Sequence, residues 1–389
     1  MQNQGIEIGG FAEPGYGPVA DAFAANFTRG EVGASAAVYV DGKPVVDLWG
    51  GLADPATGRA WERDTVAIVF SCTKGVSSIC AQLLVERGQL DLDAPVTTYW
   101  PEYGANGKAA TTVRDVLSHR TGLPVVDGPV TLDDLTDPAG MAARLAAQAP
   151  LFEPGTTHAY QAITFSWTWG EILRRITGET VGQFVARELT GPLGLDLWIG
   201  LPADLEDRVA PILPPDVPPE LVALLMPEGS LPWRALTLNG LMPATIAGPG
   251  EGINDPAIHR VELPAANGIT NARSLAKLYA SVIGEVDGRP RLLQPDTIAA
   301  ASVVRSSGQA WGDAYEGASW GTGFMRPFPR QPQLGGASFG HDGAGGSIAF
   351  AEPDRGVAFS HVINQMLVTT EQDVRTAALT TALESCLPA

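Results

Sequence analysis

A chain of 389 residues that is 45% hydrophobic is long enough to bury a sizeable core, in one large domain or two intimately joined ones. Its formal net charge of −18 repels phosphate backbones and anionic lipid, so neither nucleic acid nor a membrane surface is expected as a partner. The three cysteines, Cys72, Cys80 and Cys386, are odd in number and lack C-x-x-C spacing, which argues against a disulfide framework and against a structural zinc site.

Taken in chain order, residues 1–7 carry neither a basic leader nor an apolar run, and no later stretch is apolar enough to span a bilayer. A cytoplasmic protein is therefore expected. Residues 20–26 read as a helix, and residues 36–49 split into two strand-like runs around Asp41-Gly42, a hairpin signal. Residues 65–70 are β-rich. Val76, Ile79, Cys80 and Leu83 then recur at helical spacing, so a helix is predicted to begin near Ser71. Helical patterns follow at 141–148, 169–176, 181–189 and 274–282, while residues 200–265 are proline-rich and irregular, as lids and pocket walls often are. Near the C-terminus, 338–350 and 357–363 read as strands around a Pro-Gly turn at 352–356, and a last helix puts Leu379, Ala382, Leu383 and Cys386 on one face. Strands at both ends with helices between predict an α+β fold whose antiparallel sheet is built from both chain ends, residues 1–60 and 266–389. The mainly helical domain at 61–265 is then an insertion.

Three segments carry chemistry. Ser71 and Lys74 lie one helical turn apart at the predicted helix start and share a face. A serine hydroxyl is a poor nucleophile until a base removes its proton, and a desolvated amine beside it can do so. The positive end of the helix dipole favours negative charge developing there. Downstream, a Pro154-Gly155 turn leads into Tyr160, whose phenol can relay protons. Later still, Gly340-His341-Asp342-Gly343-Ala344-Gly345-Gly346-Ser347 is a run of small residues that lets a backbone approach a ligand, with edge-strand N–H groups on offer.

Competing patterns occur elsewhere in the chain. Ser274 and Lys277 repeat the S-x-x-K spacing, and such a short motif also fits an ordinary helix. G-x-S-x-G occurs around Ser319 and around Ser338, with Asp354 and His361 downstream to complete a serine-acid-histidine order. That elbow, however, requires strand, turn and helix, and both serines lead into strand-like sequence. The five histidines, His119, His158, His259, His341 and His361, show no paired ligand spacing, so no metal and no cofactor is expected, and His119 reads as a structural hydrogen-bonding residue.

Serine-lysine pair, tyrosine and glycine-rich strand, in that order, resemble the serine β-lactamases and penicillin-binding proteins, and within them the class C-like serine esterases known as family VIII carboxylesterases. Leu117-Ser118-His119-Arg120-Thr121-Gly122-Leu123-Pro124, Ala265-Ala266-Asn267-Gly268-Ile269-Thr270 and Trp320-Gly321-Thr322-Gly323-Phe324 are similar to stretches of the same family. The resemblance implies a β-lactamase/transpeptidase-like fold with its site at the seam between sheet and inserted domain. It implies Ser71 as nucleophile, Lys74 and Tyr160 as the proton-transfer pair, and the N–H groups of Ser71 and Ala344 as oxyanion donors. His341-Asp342-Gly343 stands where lactamases carry K-T-G, and Ala162 where they carry an asparagine, so His341, Gly343 and Ala162 are the expected substrate-binding positions. Losing an ammonium and an amide at these places favours short-chain, uncharged esters over β-lactams. The expected partner is a small-molecule ester. Amide, β-lactam or D-alanyl peptide hydrolysis is the alternative, and a catalytically silent ligand-binding relative is a third reading, which the intact Ser71, Lys74 and Tyr160 oppose.

Overall fold

The computed structural model describes residues 2–3, 6–248, 250–313, 317–369 and 371–388; Met1, Gln4 and Gly5 of the N-terminal stretch lie outside them. Its centre is a 10-stranded antiparallel sheet. Strand Gly33–Val40 pairs on one side with Lys43–Asp54, and on the other with Val357–Ile363 from the far end of the chain. Beyond Lys43–Asp54 lie Ile6–Ala12 and Gln2–Asn3; beyond Val357–Ile363 come Ile348–Glu352, Phe339–Asp342, Met325–Arg326 and Ser319–Trp320. Both chain ends thus build one sheet, as the sequence predicts.

Alternation along the central strands sorts their side chains into two cores. Ala34, Ala36, Val38, Ile348, Phe350, Val357 and Phe359 face one core, closed by Val19 and Phe23 of helix Gly17–Asn26 and by Leu379 and Leu383 of the C-terminal helix Val374–Cys386. Ala37, Ala349, Ala351, Ala358 and Val362 face the larger core. Helix Ala272–Ile283 lies directly on that face, where the short alanine side chains let a helix approach the sheet closely. Because both faces are covered, Gly33–Val40 is a nearly continuous buried run.

The predicted hairpin is present. Asp41 and Gly42 both have positive φ, 48° and 75°, the conformation of a two-residue turn whose twist matches the flanking strands. Three expectations change. The run at 338–350 is two strands, Phe339–Asp342 and Ile348–Glu352, paired Phe339 to Ala351 and Asp342 to Ile348. Gly345 and Gly346 interrupt it at φ 85° and 130°, which side-chain-bearing residues avoid. Phe339–Asp342 is also an interior strand, flanked on both sides, and not a sheet edge. Finally, residues 200–265 hold helical turns at Ala203–Arg208, Pro219–Leu225, Leu231–Thr237 and Pro256–Arg260. Several of the prolines that make this stretch look irregular sit in first helical turns, where a missing N–H costs nothing.

A small sheet links the helical part to the site: Ile269–Thr270 pairs with Ala67–Ile68 and with Leu197–Trp198. It holds the segment entering helix Cys72–Glu86 beside the segment carrying Ala265.

Candidate active site

Ser71 is the N-cap of helix Cys72–Glu86. The residue before it, Phe70, has φ +46°, a left-handed conformation costly for an aromatic residue; it makes the chain turn sharply from strand into helix. The turn is held by Thr73 Oγ1, which donates to the Phe70 carbonyl at 2.6 Å and accepts from Gly268 N–H at 2.8 Å.

Lys74, one turn on, is 1% exposed, and its Nζ donates to Ser71 Oγ (3.2 Å), the Ala162 carbonyl (2.7 Å) and the Ala265 carbonyl (2.9 Å). Burial holds its amine well below the ordinary lysine range, with the Asp342 carboxylate pulling the other way. Tyr160 Oη donates to Ser71 Oγ at 2.8 Å, and the Lys74 ammonium position lies 4.7 Å from the centre of the Tyr160 ring. The structure therefore brings Ser71 and Lys74, one turn apart at a helix start, into contact with Tyr160 from a distant part of the chain.

Tyr160 is held in turn by aromatic neighbours. Trp320 stacks on it at 5.5 Å with an interplanar angle of 16°, and His119 meets it edge-on at 4.8 Å. His119 also brackets the tyrosine along the chain: its carbonyl accepts from Ala159 N–H (2.9 Å) and its Nδ1 from Gln161 N–H (3.3 Å). The motif carrying His119 was readable in sequence, but its job of aiming Tyr160 was not. Trp320 belongs to the Trp320-Gly321-Thr322-Gly323 stretch, whose Gly323 carbonyl accepts from Ser78 Oγ on helix Cys72–Glu86 at 2.7 Å.

The glycine-rich loop closes the far side. The His341 carbonyl faces Cys72 Sγ at 3.3 Å, and a Cβ on Gly343 would lie 2.3 Å from the Val69 carbonyl, so only glycine lets this strand end pack against the turn before Ser71. Within the loop, Gly343 N–H donates to the Ser347 carbonyl (2.6 Å), and Gly346 N–H donates to the Gly343 carbonyl (3.2 Å). In a trans peptide N–H and C=O point opposite ways, so fixing the Gly343 carbonyl inward turns the Ala344 N–H outward. Among the described residues neither the Ser71 nor the Ala344 N–H donates to another backbone group.

Beside this loop opens a cavity of about 390 Å³, lined by Val222, Met226, Leu236, Ile246, Phe328 and Met366 and by Gly343 to Gly346; Ser71, Lys74 and Tyr160 are not among its lining residues. Asp342, Glu371, Asp373 and Arg330 also reach it. Of the expected substrate-binding positions, Gly343 lines the cavity. Ala162 contributes its carbonyl to Lys74, and its side chain is buried. His341 is wholly buried, its Nδ1 2.7 Å from the Asp342 carbonyl, and does not line the cavity; residue alternation along Phe339–Asp342 turns it toward Tyr160, 6.1 Å between ring centres.

Of the competing serines, Ser274 and Ser338 are engaged in hydrogen bonds elsewhere. Ser274 accepts from Asp196 N–H inside a helix, and Lys277 pairs with Asp287. Ser338 Oγ donates to Glu352, and His361 lies fully buried 3.1 Å from Glu31, away from Asp354 in its turn. The cysteines are all free, no cluster of metal-binding side chains occurs among the described residues, and no described helix is long and apolar enough to cross a membrane.

This fold, with a serine at a helix N-terminus contacted by a lysine and a tyrosine, is that of the β-lactamase/transpeptidase-like proteins. The beta-lactamase family profile matches residues 19–383, and the chain belongs to that family. It is 37% identical over 385 residues to the esterase/beta-lactamase LipL of Mycobacterium tuberculosis (strain ATCC 25618 / H37Rv), a match covering 93% of this chain and 84% of the relative. Among solved structures it is similar to a family VIII carboxylesterase, with TM-score 0.87, 36% identity and coverage of 98% of this chain and 100% of the other. A penicillin-binding protein homologue from Caulobacter crescentus gives TM-score 0.86 at 36% identity, over 98% of this chain and 100% of that one.

Proposed function

We propose that this chain, a carboxylic ester hydrolase of the beta-lactamase family, cleaves uncharged esters through an acyl-enzyme on Ser71. The observation that carries the reading is the double contact on Ser71 Oγ, from Tyr160 Oη at 2.8 Å and Lys74 Nζ at 3.2 Å. Burial lowers the Lys74 pKa, which favours the neutral amine that accepts a proton in the proposed mechanism, and the tyrosine passes it on. In acylation Ser71 Oγ attacks the ester carbonyl, its proton passes to the Lys74–Tyr160 pair, and the same proton leaves on the alcohol as the C–O bond breaks. In deacylation a water is deprotonated by the pair, attacks the acyl carbon and returns the proton to Ser71 Oγ. The N–H groups of Ser71 and Ala344 stabilise the oxyanion in both steps, each by roughly 3 kcal/mol as in other serine hydrolases.

Two features support a neutral substrate. The cavity beside the Ala344 loop is mostly apolar; with Asp373 paired to Arg375, its charged lining is two further carboxylates, Asp342 and Glu371, against one guanidinium, Arg330, an environment that disfavours a substrate carboxylate. A volume of about 390 Å³ holds roughly a dozen methylene-sized groups, so a short acyl chain leaves much of it unfilled and the reading extends to medium-length chains. One relative's name pairs esterase with beta-lactamase, and the position where lactamases carry an amide is here Ala162, whose carbonyl is occupied by Lys74.

The test is a panel of neutral nitrophenyl esters, a chromogenic cephalosporin and a D-alanyl peptide. Ester kcat/KM exceeding lactam and peptide turnover by at least roughly a hundredfold is expected. Lactam hydrolysis equal to that of the best ester overturns the substrate class.

A further inference from the structure

We infer that Arg375, held in a buried cluster with Glu31, Asp373 and His361, is the positioning residue that fixes the Ala344 loop for oxyanion binding. The inference rests on the proposed oxyanion role of the Ala344 N–H.

The two proposed oxyanion donors differ in what holds them. Ser71 N–H belongs to a helix end, rigid by construction. Ala344 N–H belongs to a loop whose next residues, Gly345 and Gly346, both have positive φ, and glycine gives such a loop the largest conformational freedom available. Electrostatic catalysis requires donors already in place when charge develops. Something outside the loop must therefore hold it.

Arg375 stands directly behind it. The residue is fully buried in the first turn of helix Val374–Cys386, and its Nη2 donates to the Gly345 carbonyl at 2.7 Å. Leu367 N–H donates to the same carbonyl at 3.0 Å. A Cβ on Gly346 would fall 2.3 Å from Arg375 Nη2 and 2.5 Å from Asp373 Oδ2, so the loop is laid flat on the cluster with no room for a side chain. The rest of the guanidinium is fully engaged. Nη1 donates to Glu31 Oε1 (3.0 Å) and the Gln365 carbonyl (2.9 Å), Nε to Asp373 Oδ1 (3.1 Å), and Nη2 also to Asp373 Oδ2 (2.7 Å). Asp373 is itself the cap of the helix, accepting from the Arg375 N–H at 2.8 Å, and His361 Nε2 lies 3.1 Å from the second oxygen of Glu31.

Burying these charges is costly, and removing Arg375 alone leaves the buried carboxylates of Glu31 and Asp373 unpaired. What an apolar group lacks is five donors in a fixed plane. Here that plane joins the start of the C-terminal helix, the segment after strand Val357–Ile363 and the glycine loop, so the loop takes its position from the sheet and the helix behind it. Lysine reproduces the charge but not the fork.

Arg375→Met and Arg375→Lys are to be read against Ala344→Pro, which removes the N–H itself. For each, kcat and KM on a neutral ester, the affinity for an alkylboronic acid that forms a tetrahedral adduct, the rate of labelling by a serine-directed phosphonate and the thermal transition are measured. The inference expects both Arg375 variants to fold and to lose roughly 10- to 100-fold in kcat with KM changed less than about threefold, and boronate affinity to fall by a similar factor. Free guanidinium should restore part of the kcat of Arg375→Ala. Unchanged kcat and boronate affinity in folded Arg375→Lys overturn the inference, as does a lower thermal transition with no change in either. Should Ala344→Pro retain full activity, the oxyanion reading itself fails, separately from the role of Arg375.

Discussion

The two walls of the site are built differently. The Ser71 wall is dense: Lys74 is 1% exposed with three acceptors around one nitrogen, and Tyr160 packs against both Trp320 and His119, which also touch each other. The cavity beside the Ala344 loop is walled in part by two short helices, Pro219–Leu225 and Leu231–Thr237; Leu225, which lines it, is 59% exposed, and Leu224, which does not, is 74% exposed. The difference separates two jobs. Bond making needs atoms held within fractions of an ångström, whereas choosing an apolar chain needs only volume and the absence of unpaired charge.

The sharpest way to break this comparison is at the dense wall. Lys74→Ala and Tyr160→Phe should each lower kcat by roughly a thousandfold or more, and the double variant should be little worse than either single one, because the pair acts as a unit. Near wild-type turnover of an unactivated ester by both folded single variants would dissolve the distinction. The same lysine sets a pH dependence. Its folded pKa lies well below the free value and the neutral amine is the active form, so kcat/KM should rise as pH rises through that lowered value and level off above it. Lys74→Ala should lack this limb.

The cavity wall should respond by substrate length instead. Burying one methylene contributes about 0.8 kcal/mol, close to fourfold in kcat/KM, so activity should climb along a series of neutral esters until the cavity is full. Leu236→Trp, which fills part of it, should lower the decanoate-to-acetate ratio by roughly tenfold or more. An unchanged ratio would mean that the chain lies elsewhere. The smallest effect is expected at the outer surface of the roof, where Leu224→Ser should change stability by less than about 0.5 kcal/mol and leave acetate turnover as it was, measured by denaturant unfolding and steady-state kinetics.

The same division governs what can be read from sequence. Ser71, Lys74 and Tyr160 are legible because their chemistry demands particular residue types at a helix start and after a turn, and the Asp41-Gly42 hairpin because its φ angles demand glycine-like residues. Strand Ile6–Ala12 was not legible. Its Gly9 and Gly10 look like breakers, yet a Cβ on Gly9 would lie 2.5 Å from the Trp49 ring, so those glycines are what allow the strand to pair with Lys43–Asp54. The cavity leaves no local trace either, since its walls come from four separate segments and apolar residues at 215–246 carry no periodic signature of a pocket. His341 shows the limit of motif reasoning. A residue at the position of a substrate-gripping lysine is, in this chain, a buried imidazole facing Tyr160. Arg375 was unmarked because nothing in a helix start announces that a distant glycine loop will lie across it.

The central claim is that Ser71 is the atom acylated, and the most direct measurement is intact-mass analysis followed by peptide mapping after treatment with a serine-directed phosphonate. One adduct per chain, on the peptide carrying Ser71 and absent from Ser71→Ala, is the predicted result. An adduct on Ser274, Ser319 or Ser338, or esterase activity retained in Ser71→Ala, would contradict it.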